Sequence, residues 1–217
     1  MQKLLWNISW LVLRPLLRIF CRFRIVGHKN IQDAITPVIL AIAVHANIFD
    51  AFIVGAALPF GSHFFPVRFM IRRKIFDIPF VRPILKLYGA FKVIRGMGLE
   101  KAIEPAINLL KQGYSVGIFV EGKISRKGEL RDSRPGTAAI SFAQNAPVVP
   151  VALKGTHQIR NPFKFIFTRR KITVSFGKPI TPADFNLPED KSLENRETIE
   201  KFTKIIEGQI KKFYFSA

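Results

Sequence analysis

Pro37-Val-Ile-Leu-Ala-Ile-Ala-Val-His45-Ala-Asn47-Ile-Phe-Asp50 is the stretch on which the fold of this chain turns. Val38 to Val44 is an uninterrupted apolar run of strand length, and Ile48 to Leu58 is a second apolar segment of helical length. Read together they put His45 at the carboxyl end of a buried central strand, just ahead of a helix, where open α/β sheets present their chemistry. Asp50 lies on the following turn. From there its carboxylate can fold back onto one imidazole nitrogen, set the tautomer, and leave the other nitrogen to take a proton from a hydroxyl. A plainer reading of the same residues is a polar strand end followed by an acidic first helical turn that favours the macrodipole.

Working outward, the chain alternates. Arg24 to Ile31 reads as a short strand and a turn at Gly27, and Val67 to Ile71 as a strand leading to the basic cluster Arg68, Arg72, Arg73, Lys74. Ile78 to Tyr88 is expected as a helix beginning near Pro79 and ended by Gly89. Strands are expected at Ala90 to Ile94, Ser115 to Val120, Val148 to Leu153 and Ile172 to Phe176. Helices are expected at Leu99 to Gln112, Pro135 to Gln144 and Leu193 to Phe215. The pattern predicts a single α/β domain with a central, mostly parallel or mixed sheet and helices on both faces. A length of 217 residues with 48% hydrophobic content suits one core.

The first 24 residues read differently. Lys3, Asn7, Arg14, Arg18 and Arg22 recur at helical intervals, while Leu4, Leu5, Trp6, Ile8, Leu11, Leu16, Ile19 and Phe20 fill the remainder. Polar residues interrupt every apolar run before it reaches the roughly 20 residues a membrane span needs. The segment is expected to lie in a membrane interface, kinked or split into two short helices at Pro15, with Trp6 and Trp10 at headgroup depth. The division is therefore residues 1–24 as an interfacial helical segment and residues 25–217 as the catalytic domain. Asn161 to Lys171, where aromatic and basic residues alternate, reads either as a second membrane-facing element or as an ordinary strand and basic turn.

Charge narrows the partners. Lys plus Arg number 34 against 15 acidic residues, a net +19, so the partner surface is anionic: lipid headgroups, phosphorylated substrates or nucleic acid. Twenty-one phenylalanines against three tyrosines favour lipid over base stacking. The single cysteine, Cys21, excludes an intrachain disulfide and a cysteine-rich metal site.

Two further stretches carry chemistry. Gly117-Ile-Phe-Val-Glu-Gly122-Lys123 has the spacing of a phosphate loop, but Ile124 stands where a hydroxyl must meet magnesium and the intervening residues read as a strand. Read as strand then loop, Phe119-Val-Glu121-Gly122-Lys123-Ile-Ser125-Arg126 offers a carboxylate to a hydroxyl or amide and two cations, Lys123 and Arg126, to a phosphate. Gly89-Ala-Phe91-Lys-Val-Ile-Arg95-Gly96 likewise delivers Arg95 to a glycine turn at the sheet's rim.

In order and spacing, His45-x-x-x-x-Asp50, Gly89 to Gly96, Phe119-Val-Glu121-Gly122 and Val148-Val-Pro150-Val-Ala-Leu resemble the four blocks of the 1-acylglycerol-3-phosphate acyltransferase family. The resemblance implies that His45 is the general base and Asp50 orients it. It implies that Arg95 and Gly96 engage the acceptor's phosphate, and that Glu121 and Gly122 shape the acceptor site. It implies transfer of a fatty acyl chain from acyl-CoA or acyl carrier protein to a lysophospholipid hydroxyl, with no cofactor and no metal. It implies a peripheral or monotopic enzyme on the cytoplasmic face of a membrane, with anionic lipids as partners and no nucleic acid. This chain departs from the family pattern where Lys92 and Ile94 replace Pro and Asp, and where Val120, Lys123 and Ile124 replace Pro, Thr and Arg. These departures bear on the acceptor. Another lysolipid or a lipid A precursor is the alternative acceptor, and a non-catalytic basic protein on membranes or nucleic acid is the rival from another class.

Overall fold

In the computed structural model, strand β2 (Ile39–Ala43) is buried along its whole length at the centre of a seven-stranded sheet. The structure describes residues 1–32, 34, 37–47, 49–61, 64–93, 96–125, 127–159, 169–187 and 195–216. The other strands are β1 (Arg22–Val26), β3 (Arg68–Arg72), β4 (Phe91–Val93), β5 (Val116–Phe119), β6 (Val148–Lys154) and β7 (Lys171–Phe176), in the order β1-β7-β6-β2-β5-β3-β4. β2 pairs in parallel with both β5 and β6, and β3 joins β5 and β4 in parallel. β7 runs antiparallel to β6, and β1 is parallel to β7. The sheet is therefore mixed, and the starts of β1 and β7 lie on the same rim as the ends of β2 and β6.

Side chains on β2 alternate between two cores, as the pleat requires. Leu40 and Ile42 join the cluster beneath helices α1 (Gln2–Phe20), α2 (His28–Gln32) and α3 (Asp50–Ala57). Ile39, Ala41 and Ala43 join the cluster beneath α6 (Leu99–Lys111), α7 (Gly136–Gln144) and α8 (Arg196–Ser216). Two short helices, α4 (Arg73–Phe76) and α5 (Arg82–Leu87), follow β3. Helices cover both faces, as the alternating pattern predicts.

Three expectations are corrected. α1 is one helix through Pro15, because Trp6 and Leu17, buried on either side of the proline, pack into one core cluster and hold both halves on one surface. The expected helix from Ile78 shrinks to α5, with Pro83 in its first turn, where the missing N–H leaves no intrahelical bond unmade. The turn after Gly27 continues into α2.

α1 is joined to the body by specific contacts as well as by burial. Trp6 is 3% exposed and its ring fills the space above Gly55, where an added Cβ would lie 2.3 Å from it. Its indole N–H donates to the Tyr88 carbonyl at 3.3 Å, and that of Trp10 to the Leu58 carbonyl at 2.8 Å. The opposite side of α1 is a different matter: Leu4, Ile8, Leu11, Val12, Leu16 and Ile19 all remain exposed. Among the described residues no helix is long and apolar enough to cross a membrane. Most of the stretch Asn161 to Lys171 lies outside the described residues.

Candidate active site

The site is built where β2 ends. The five-residue spacing wraps the chain into a turn that points the carboxylate of Asp50, at the start of α3, back at the strand it left. Asp50 is fully buried, and its Oδ2 accepts from three donors: His45 Nδ1 at 3.0 Å, the Ala46 amide at 2.6 Å and the Asn47 amide at 2.8 Å. With Nδ1 committed to the carboxylate, Nε2 is the ring nitrogen left for chemistry. The Asn47 side chain steadies the turn, donating to the Thr156 carbonyl at 3.0 Å and accepting from the Phe49 amide at 2.8 Å. His45 stacks on Phe119 of β5 with ring centroids 4.0 Å apart.

His45 is 18% exposed on its side chain and faces a cavity of about 260 Å³. The walls are mainly apolar, with Met70, Ile75, Val93, Leu99 and Ile118 among them. Arg72 and Arg134 are the cations on its lining, and Gly122 and Ile124 contribute from the loop after β5. A second cavity, about 510 Å³ and apolar but for Ser9, lies between the outer side of α1 and the start of α3. Ile8, Val12 and Leu13 face Phe49, Phe52 and Ile53 across it. An apolar groove thus runs beside α1, a few residues from the His45 turn.

The loop from Gly122 to Arg134 is anchored at several of its described residues. Gly122 opens it at a φ of 60°. The Ser125 amide donates to the His45 carbonyl at 2.6 Å, so the loop braces the histidine's own backbone. The Arg134 amide donates to the Val120 carbonyl at 2.8 Å. From α8, Tyr214 donates its hydroxyl to the Gly128 carbonyl at 2.7 Å, and Glu207 accepts the Ser133 amide at 2.8 Å.

Glu121 takes an unexpected position. It is 3% exposed, it does not line the His45 cavity, and its Oε1 accepts the Arg131 amide at 3.3 Å. Oε2 has no hydrogen-bond partner. Burial pushes its carboxyl up to about 7, against the pull of the Arg131 and His45 backbone amides. It sits under the loop as an internal strut rather than on the cavity surface.

Of the residues singled out in the sequence, His45, Asp50 and Gly122 come together at the cavity. Gly96 and Lys123 are exposed outside its lining. Arg95 and Arg126 lie outside the described residues. Sequence reading missed Arg134, Tyr214 and Glu207 altogether, and passed over Arg72 as one of a basic cluster. No motif spacing marks them, since α8 approaches the loop from more than 70 positions away. Among the described residues no cluster of His, Cys, Asp and Glu is arranged to hold a metal.

A family model described as Acyltransferase matches residues 22–154. The chain is 28% identical over 169 residues to the 1-acyl-sn-glycerol-3-phosphate acyltransferase of Bacillus subtilis, the alignment covering 77% of each chain. It is 28% identical to the enzyme of that name from Saccharomyces cerevisiae, covering 81% of this chain and 56% of the yeast one. A chloroplastic relative of Arabidopsis thaliana is 26% identical over 74% of this chain and 44% of its own, so the chain spans about half the length of these two. The crystal structure of the 1-acyl-sn-glycerophosphate (LPA) acyltransferase from Thermotoga maritima superposes with a TM-score of 0.69, covering 98% of this chain and 80% of that one. At 19% identity that likeness carries the fold.

Proposed function

The chain belongs to the acyltransferase family, and from that premise we propose that it moves a fatty acyl group from an acyl thioester to the free hydroxyl of a lysophospholipid, 1-acylglycerol-3-phosphate first among them. The observation that carries this reading is the His45–Asp50 contact of 3.0 Å at an apolar cavity, with a second apolar groove alongside. Two greasy chains must meet at one base, and these two spaces meet that need. The names of the relatives support the acceptor.

In this mechanism His45 Nε2 takes the proton of the acceptor hydroxyl as the oxygen attacks the thioester carbonyl. Asp50 holds the ring in place and stabilises the imidazolium. Collapse of the tetrahedral intermediate breaks the carbon–sulfur bond, and the thiolate takes the proton back from the imidazolium. The products are an ester and a free thiol. Arg72 and Arg134, together with Arg95, Gly96, Gly122, Lys123 and Arg126, serve the acceptor's phosphate and its loop. Ile124, which stands in the cavity wall where the family carries an arginine, makes the acceptor headgroup the open variable. The carbon chain of the acceptor reaches the site from a membrane surface on which the exposed apolar side of α1 rests.

The test is purified protein with acyl-CoA, and separately with acyl carrier protein, against a panel of lysolipids, following thiol release and lipid product. Lysophosphatidic acid is expected to be converted fastest. His45→Ala is expected to retain the fold by circular dichroism and to lose turnover. Turnover by that variant near the wild-type rate removes His45 from the mechanism.

A further inference from the structure

Away from the His45 cavity, on the same rim of the sheet, the chain gathers positive charge from two segments that carry no acidic residue. Residues 1–32 contain Lys3, Arg14, Arg18, Arg22, Arg24 and Lys29 and no acidic residue. Between Asp132 and Asp184 there is again no Asp or Glu. The fold brings these two acid-free segments together, because β1 is one of the two edge strands and pairs with β7. Arg22 stands directly opposite Lys171 in that pairing, an arrangement of like charges that destabilises a sheet. Arg18 lies one helical turn from Arg14, and the two repel: burial first and Arg18 second hold the Arg14 guanidinium below its usual value. Arg14 is spoken for, its guanidinium lying over the Trp10 ring and donating to the Leu58 carbonyl.

Arg18 and Arg22 are not. With Arg169 they line a cavity of about 300 Å³ completed by Ile19, Cys21 and Phe23. Its lining includes no acidic residue, and among the described residues none of the three arginines has an ion-pair partner. Three arginines lining one cavity without carboxylates offer the chemistry of phosphate recognition. Position supplies the kind of phosphate. Ile19 lines this cavity and is also the last of the exposed apolar residues of α1, while Leu17, next to Arg18, lines the apolar groove that opens beside the His45 turn.

We propose that Arg18, Arg22 and Arg169 bind the phosphate of an anionic phospholipid, at the point where the apolar side of α1 meets the rim of the sheet. The lipid is a docking ligand and not the acceptor, and the site turns the catalytic rim toward the bilayer. Only that last clause rests on the acyltransfer reading; binding does not. The apolar residues of α1 supply insertion, and the arginines supply charge and orientation.

The test is co-sedimentation of the full chain with vesicles of phosphatidylcholine alone and of phosphatidylcholine mixed equally with phosphatidylglycerol, without acyl donor. The triple variant Arg18→Gln, Arg22→Gln, Arg169→Gln is compared with a charge-matched control, Lys101→Gln, Lys111→Gln, Lys201→Gln, taken from exposed positions on α6 and α8. With each surface cation contributing on the order of 1 kcal/mol, the arginine variant is expected to bind the mixed vesicles roughly 100-fold more weakly. The control is expected to lose several-fold at most. Equal losses in both variants, or none in the arginine variant, overturn the site. Displacement of vesicles by inorganic phosphate at constant ionic strength makes free phosphate the ligand and overturns the lipid assignment. Tighter retention of duplex DNA than of vesicles reassigns the patch to nucleic acid. His45→Ala is expected to bind vesicles like the wild type, so loss of the acyltransfer reading and loss of this one are told apart.

Discussion

Asp50 and Glu121 follow neighbouring strands, β2 and β5, and both are sealed from water next to His45. Asp50 is met on one oxygen by three donors, one of them the imidazole. Glu121 receives the Arg131 amide on one oxygen and nothing on the other, and its carboxyl rises to about 7. The difference teaches that burial alone does not decide what a carboxylate does. Three donors on one oxygen tie Asp50 to the imidazole and the turn, whereas at Glu121 desolvation outweighs the pull of its donors and favours the neutral form. One carboxylate meets the imidazole at the cavity and the other lies in the frame beneath the loop.

The sharpest way to break this comparison is Asp50→Asn. An amide oxygen can take the three hydrogen bonds that Oδ2 accepts, but it carries no charge to stabilise the imidazolium that forms when His45 takes a proton. Turnover is expected to fall on the order of 10³–10⁴-fold. Thioester turnover with a thermal melt on the same sample checks it. A variant keeping a tenth of the wild-type rate would make Asp50 a structural residue like Glu121.

Glu121→Gln tests the other half. The folded-state value of about 7 lies above the ordinary 4.5, so the folded protein holds this proton more tightly than the unfolded chain does. The associated stability is full below the ordinary value and is lost as pH rises through 7, an effect on the order of 3 kcal/mol. Melting temperature of the wild type is expected to decline across that window beyond the decline in the Gln variant. Parallel curves would show that burial does not hold the Glu121 proton.

The smallest effect belongs to Tyr214→Phe, which removes the bond from α8 to the Gly128 carbonyl. A loss of about 1 kcal/mol in stability is expected, with turnover lowered a few-fold because the loop that braces His45 loosens. Unchanged kinetics would confine α8 to the core.

Much of this was legible in the chain itself. The apolar run before His45, too short for a helix, announced a buried strand, and the alternation of strands and helices announced layers on both sides of a sheet. The five-residue interval between His45 and Asp50 spans a single turn, so local geometry alone brings them into contact. What lay beyond local geometry was not legible. Pro15 argued for a break in α1, and packing at Trp6 and Leu17 overrode it. Glu121 read as a carboxylate for a hydroxyl or an amide, and which of the two it meets was not legible: the Arg131 amide reaches it through the path of the loop, which no local spacing encodes.

Short-range spacing and composition were enough to encode the layered fold, the His45–Asp50 pair and the excess of positive charge. Tertiary structure alone decided that Arg72 and Arg134 line the cavity, that Glu207 and Tyr214 hold the loop, and that two acid-free segments meet at an edge strand. The reason is physical. Contacts between residues scores of positions apart depend on the register of a mixed sheet and on which helix covers which face, and no local pattern of residues encodes either.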